Sequence, residues 1–265
     1  MRLPWQSYEI FSIVQKISYL CGLKKKPVAR MTILNIETST NCCSAAITVQ
    51  GKAVAWRENT EGANHARELP VFISELLDEA KQQGWHLDAV ALSQGPGSYT
   101  GLRIGASTAK GLCYGLNIPL IPIDTLQVLC AAAKAQHKEL DEADGEALFC
   151  PMLDARRMEV YTAFYAPQTL QRTDEIKAKV VDGHSFEAEL QAHPVCFFGN
   201  GADKCKGVLT SENARFIDAV VPQARYMGAL AEAAASHLDV KQMAYFEPFY
   251  LKDFVPAPSH VKGLQ

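Results

Sequence analysis

The stretch Gln94-Gly95-Pro96-Gly97-Ser98-Tyr99-Thr100-Gly101-Leu102-Arg103-Ile104-Gly105 constrains the fold more than any other part of this chain. It follows the apolar run Ala89-Val90-Ala91-Leu92 and opens a long Ala/Gly-rich pattern, so it reads as strand, tight glycine turn, helix. Gly95 and Gly97 flank Pro96 and permit backbone angles that residues with side chains resist. Ser98 or Thr100 is placed to cap the helix. Such a turn presents N–H groups beside a positive helix end, which suits an anion or a closely packed neighbour. The glycine spacing is neither G-x-G-x-x-G nor G-x-x-x-x-G-K-[ST], so the dinucleotide and P-loop readings fail.

The surrounding pattern is an α/β layer with a mixed sheet. Three β-like runs come first, at 32–37, 43–49 and 52–58, with Gly51 as a hairpin turn. Leu69, Phe72, Ile73, Leu76, Leu77 and Ala80 then form one helical stripe, with Pro70 near its start or kinking it. A strand at 88–93, a helix over 100–116 and a strand at 119–123 follow, and Asp124 caps a helix through Leu126, Leu129 and Ala133. After the polar stretch 135–146 the opening recurs: Leu148–Asp154 resembles Ile33–Glu37, each an apolar strand ending in a carboxylate. A second strand follows in both cases, Cys43–Val49 and Met158–Tyr165, which predicts a duplicated fold with a cleft between lobes. Val195–Phe198 reads as a strand before a Gly199-Asn200-Gly201 turn, and about Met227–His237 as a helix.

Charge and cysteine usage exclude some functions. The net charge is −3 with no basic block beyond Lys24-Lys25-Lys26, which argues against gripping nucleic acid unaided. Eight cysteines form no C-x-x-C pair and most lie in apolar runs, as buried thiols in a reducing compartment do. Residues 1–30 do not match the rest. Ile10–Leu20 is mildly apolar, but its lysines come after it, unlike a secretory signal, and it is too short to span a bilayer. The segment reads as an upstream extension before a natural start at Met31, or as a peripheral helix with its own partner.

Four chemistries can be tested on the residues. Glu37-Thr38-Ser39, with Asp154 at the equivalent place in the second half, could hold a magnesium ion and nucleotide phosphates, although all are ordinary turn residues. None of the seven histidines has another four residues on, so no helix-borne metal pair exists, and His65 reads as a helix-start or interface residue. Ser98 lacks the G-x-S-x-G context of a nucleophile and reads as a cap. The 100–116 helix carries Gly101, Gly105, Ala106, Ala109, Gly111 and Gly115. Interior glycines disfavour a helix by about 1 kcal/mol each, so another backbone should pack closely, either this chain's own sheet or a second chain.

Five strings occur in order: Ile36-Glu37-Thr38-Ser39, His65–Pro70, Gly95–Gly105, Leu153–Tyr161 and Pro248-Phe249-Tyr250-Leu251-Lys252. Together, over about Met31–Lys252, they resemble the TsaB (YeaZ) family, a subunit of the bacterial tRNA threonylcarbamoyladenosine machinery. The resemblance implies a duplicated ribonuclease H-like fold of the actin/Hsp70/sugar-kinase (ASKHA) type, with an N-terminal lobe at 31–135, a C-terminal lobe at 136–252 and a tail at 253–265. It implies a cytoplasmic, non-catalytic paralogue of TsaD, without cofactor or membrane contact. TsaD holds the metal through a histidine pair and transfers threonylcarbamoyl to adenosine 37 of ANN-decoding tRNAs. Pairing with TsaD would use the two first-lobe helices, at Leu69, Phe72, Ile73, Leu76, Gly101, Gly105, Ala109 and Leu112. A TsaE-type ATPase would join the pair, tRNA would be reached through the complex, and a homodimer is possible. Glu37 departs from the aspartate common in the family and weakens a nucleotide site built there. The rival expectation is an autonomous ATP/magnesium-dependent enzyme of the same fold using Glu37 and Asp154.

Overall fold

The structure, a computed structural model, describes residues 31–62, 64–138, 140, 147–235 and 244–252. The expectations for residues 1–30, for the tail after 252 and for the helix beyond residue 235 lie outside the described residues. The first half runs β1 (Thr32–Glu37), β2 (Cys43–Val49), β3 (Lys52–Asn59), α1 (His65–Gln83), β4 (Ala89–Gly95), α2 (Tyr99–Leu116), β5 (Leu120–Asp124) and α3 (Thr125–Gln136). The second runs β6 (Leu148–Asp154), β7 (Glu159–Thr162), β8 (Lys177–Val180), α4 (Glu187–Ala192), β9 (Val195–Phe198), β10 (Ala214–Ile217) and α5 (Gly228–Ala234).

Each half builds a five-stranded sheet of the same topology, in the orders β3-β2-β1-β4-β5 and β8-β7-β6-β9-β10. In each, the first three strands pair antiparallel and the last two join them in parallel. This is the duplicated ribonuclease H-like, ASKHA-type fold expected from the repeated strand–acid opening. The duplication extends to the loops. Both parallel central strands end in a left-handed glycine, Gly95 (φ 117°) after β4 and Gly199 (φ 101°) after β9. Only a residue without Cβ adopts that conformation cheaply.

The strand period of two places alternate residues of β1 in different cores. Leu34 and Ile36 face α1 and α2, where Leu69, Ile73, Leu76, Ala106, Ala109 and Cys113 complete a buried cluster. Ile33 faces the other side, with Val128 of α3 and with Ala224, Met227 and Ala231 around α5. Helix α3 also packs Leu126, Leu129 and Cys130 against Phe149, Tyr165 and Phe198 of the second half, so it ties the two sheets together.

Segments that the sequence places in the C-terminal lobe return to the first sheet. Ala224 N–H donates to Ser44 Oγ at 2.9 Å. Phe249 N–H donates to the Gln94 carbonyl at 2.8 Å, and Phe246 packs on the α1/α2 core. Pro70 lies well inside α1 and removes the N–H that would bond the Ala66 carbonyl. Ser98 caps α2 through Gly101 N–H, and Asp124 caps α3 through Leu126 N–H.

Glycines of α2 separate by face. A Cβ at Gly111 or Gly115 would meet open space, whereas one at Gly101 would strike the Thr38 carbonyl. Gly111→Ala is therefore expected to raise unfolding free energy by about 0.5–1 kcal/mol. Gly101→Ala should lower it by about 1–3 kcal/mol through overpacking. Urea titration of the two variants checks the opposite signs; equal signs would contradict the facial assignment.

Candidate functional site

Strand β1 delivers Glu37 into a sealed turn. Its Oε1 accepts Ser39 N–H at 2.6 Å and the Ser39 hydroxyl at 2.5 Å, while Oε2 has no partner. Burial pushes the Glu37 carboxyl above the ordinary range, with hydrogen bonds from the Ser39 and Ser93 hydroxyls and the Ser39 amide acting in the opposite sense. The glycine turn after β4 lies directly on this loop. Ser98 N–H donates to the Ser39 carbonyl at 2.6 Å, and the Thr38 hydroxyl donates to the Gly101 carbonyl at 2.8 Å. A Cβ at Gly97 would sit 2.7 Å from Ser39 Cβ. The glycine turn thus meets a closely packed neighbour, and that neighbour is the chain's own first turn.

The structure places the expected nucleotide residues in two different settings. Glu37, Thr38 and Ser39 are buried beneath the glycine turn. Asp154, by contrast, stands at the surface, where it accepts Arg156 N–H at 3.1 Å and pairs with Lys204. The two carboxylates occupy equivalent places in their sheets but do not share an open site: one is sealed, the other neutralised.

The expected docking residues face inward. Leu69, Ile73, Leu76, Gly101, Gly105 and Ala109 are buried in this chain's own core, and half-buried Phe72 and Leu112 pack against the same cluster. Gly105 lies against Thr38 Oγ1, with Leu92 Cδ1 2.9 Å from where its Cβ would be. What α1 and α2 present outward is a groove of about 460 Å³, lined by Ala66, Pro70, Tyr99, Arg103, Ile104 and Ser107 among others. Beyond it lie exposed Gly111 and Gly115, and Tyr114 is 83% exposed. The signal was available in the helical period: 101, 105 and 109 share one face, and 107, 111 and 115 share another, turned about 120° from it.

A third feature went unread beyond its capping role. Asp124 borders an interlobe cavity of about 680 Å³ with Gln94, Tyr165, Arg172, Glu175 and Phe249. Tyr165 donates its hydroxyl to Asp124 Oδ2 at 2.6 Å, and Arg172 lies 3.6 Å from the same oxygen. Burial raises both the Asp124 carboxyl and the Tyr165 phenol. Asp124 of the first half thus joins Tyr165 and Arg172 of the second, so these three residues fasten the halves together.

His65 opens α1 with Nε2 2.8 Å from the Thr40 carbonyl. Among the described residues no group of three or more His, Cys, Asp or Glu is placed to hold a metal ion. The seven described cysteines are buried and free, and burial pushes the Cys42 and Cys43 thiols up to about 12. No helix among the described residues is long and apolar enough to cross a membrane.

Comparison with known proteins places this geometry. A family model described as "TsaD: tRNA N6-adenosine threonylcarbamoyltransferase" matches residues 59–254. The tRNA threonylcarbamoyladenosine biosynthesis protein TsaB of Haemophilus influenzae is 30% identical over 233 residues, 85% of this chain and 95% of that protein. This chain belongs to the TsaB family. The TsaB of Bacillus subtilis is 35% identical over 135 residues, a match that spans 51% of this chain and 55% of that relative. A Pseudomonas aeruginosa structure described as similar to peptidase YeaZ superposes with a TM-score of 0.67 at 25% identity, covering 84% of this chain and 100% of its own. Family membership assigns the chain to tRNA threonylcarbamoyladenosine biosynthesis.

The sealed Glu37 generates a prediction for this TsaB-family chain. Its raised carboxyl keeps its proton to higher pH in the folded state than in the unfolded one. The contribution of Glu37 to stability is then greatest in acid and falls as pH rises above the unfolded carboxyl value of about 4.3. Glu37→Gln removes that penalty. At pH 7 it should melt about 2–4 °C above the parent, the shift that ~1 kcal/mol produces in a chain of this size. The advantage should vanish near pH 4 in thermal melts; one that persisted undiminished there would place its origin in packing rather than charge.

Proposed function

We propose that this chain is a non-catalytic subunit of the tRNA N6-threonylcarbamoyladenosine machinery that docks a TsaD-type catalytic paralogue and activates it. The chain does not itself transfer threonylcarbamoyl. It holds its partner in the productive arrangement for modifying adenosine 37. A TsaE-type ATPase joins this pair, tRNA is reached through the assembly, and a homodimer through the same face competes with it. The site of action is the cytoplasm.

One observation carries the docking face. The outer side of α2 exposes Ser107, Gly111 and Gly115, and a Cβ at either glycine would meet open space among the described residues. Each glycine disfavours the helix by about 1 kcal/mol, which makes sense where another helix backbone approaches closely. The groove beside them, walled by Pro70 and Ala66 of α1 and by Tyr99 and Ile104 of α2, offers the partly apolar centre that a protein interface needs. Arg103 at its edge supplies a residue type enriched in such anchors. The sealed Glu37 turn supports the same reading, because it leaves the first lobe without an open phosphate loop.

Gly111→Arg and Ser107→Arg should therefore keep the parent's circular dichroism and melt no lower than the parent. They should weaken co-purification with the catalytic paralogue at least about tenfold, equivalent to ~1.4 kcal/mol. Gly105→Arg should instead unfold the chain, because that face is core. In cells depleted of the protein, threonylcarbamoyladenosine in hydrolysed bulk tRNA, read by mass spectrometry, should fall and be rescued by the parent and not by Gly111→Arg. Normal pairing by Gly111→Arg would overturn the assignment of this face.

A further inference from the structure

The duplicated fold has two equivalent turns, 38–42 after β1 and 155–158 after β6. The first is sealed by the glycine turn. The second is open, and its tip is built from residues that the backbone does not favour there. Arg156 (φ 71°) and Arg157 (φ 48°) both lie in the left-handed region, where glycine and asparagine are the ordinary occupants. Both side chains are exposed, and neither has an ion-pair partner among the described residues. The neighbouring acids are already taken: Asp154 pairs with Lys204 and Glu159 with Lys252. Lys204 also donates to the Glu159 carbonyl at 2.6 Å, which holds it behind the turn. Four cations thus face two carboxylates, a local net charge of +2 in a chain whose overall charge is −3.

We propose that the β6–β7 turn is a phosphate-contact site for an RNA backbone, with Arg156 and Arg157 as its two donors. The inference rests on the reading above that the assembled complex acts on tRNA. Guanidinium groups bond phosphate oxygens through paired, planar donors. The turn joins two inner strands of the five-stranded second sheet, which holds both at one end of that sheet. The turn offers charge and no apolar surface beyond half-buried Ala155 and Met158. That suits a contact that positions RNA without reading its sequence. A protein partner would require buried anchors, and a free nucleotide an enclosed pocket.

The experiment uses the full chain assembled with its catalytic paralogue and a fluorescent tRNA transcript, titrated at 50 and 200 mM salt. Arg156→Gly/Arg157→Gly should melt above the parent, since glycine relieves both left-handed positions, and should assemble with the paralogue normally. It should bind tRNA about tenfold more weakly at low salt, with a salt slope shallower by about one to two. Arg156→Lys/Arg157→Lys should recover most of the affinity and slope. Unchanged tRNA affinity and slope in the glycine pair would overturn the proposal. So would loss of assembly with RNA binding intact, which would assign the turn to an acidic protein surface. If the parent chain fails to assemble, the docking reading falls separately; the titration is then run on the chain alone, where the same loss in the glycine pair is required.

Discussion

The carbonyls of Thr38 and Ser39 lie against Gly101 and Gly97, closer than any side chain would allow. Much of the first lobe depends on that approach. It lets the Ser98 N–H reach the Ser39 carbonyl and the Thr38 hydroxyl reach Gly101, so the end of β1, the turn after β4 and the start of α2 become one hydrogen-bonded unit. It also buries Glu37 with one carboxylate oxygen unpartnered, an arrangement that stabilises the fold least when that carboxyl is charged. The end of β1 is covered by the backbone of the glycine turn.

The two lobes share their topology but use their equivalent loops differently. After β9, Gly201 N–H donates to the Met152 carbonyl, and a Cβ there would sit 2.8 Å from the Leu153 carbonyl carbon. Asn200 Oδ1 accepts Asp154 N–H at 2.9 Å. The glycine turn of the second lobe therefore braces the end of β6 as its counterpart braces β1, but leaves Asp154 and the arginine turn outside. Duplication supplied two copies of one device: one closed into core, one kept at the surface.

Legibility in the sequence followed burial. Strands β1, β2 and β4 and helices α1 to α3 were readable because the strands are near-continuous apolar runs and the helices carry apolar stripes, β3 because Gly51 marks its hairpin, and the repeat showed because Leu148–Asp154 is as apolar as Ile33–Glu37. Strand β8, Lys177–Val180, escaped because an edge strand half exposed and carrying two lysines lacks an apolar pattern. Strand β10 is four residues long and α4 six, both too short for a period to emerge. The family strings identified the chain, yet the residues chosen as docking contacts were the buried ones. Apolar periodicity marks the face that turns inward, so a stripe read from Leu69, Ile73 and Leu76 finds the core before it finds an interface.

Helix α2 resolves that conflict by carrying two small-residue faces at once. Gly101, Gly105 and Ala109 let it approach its own sheet, while Ser107, Gly111 and Gly115 keep its outer side low. Its N-terminal end is fixed from a third direction by the returning C-terminal segment. The Tyr250 ring lies 4.9 Å from that of Tyr99, and a Cβ at Gly95 would sit 2.6 Å from the Phe249 carbonyl oxygen. Tyr99 is also a wall of the outer groove. The conformational entropy of a groove-lining aromatic is thus already reduced before any partner arrives, and a preorganised contact retains more of its binding free energy. The Pro248–Lys252 string lies more than a hundred residues along the chain from the helices that form the groove, yet its contact is with the groove's own frame.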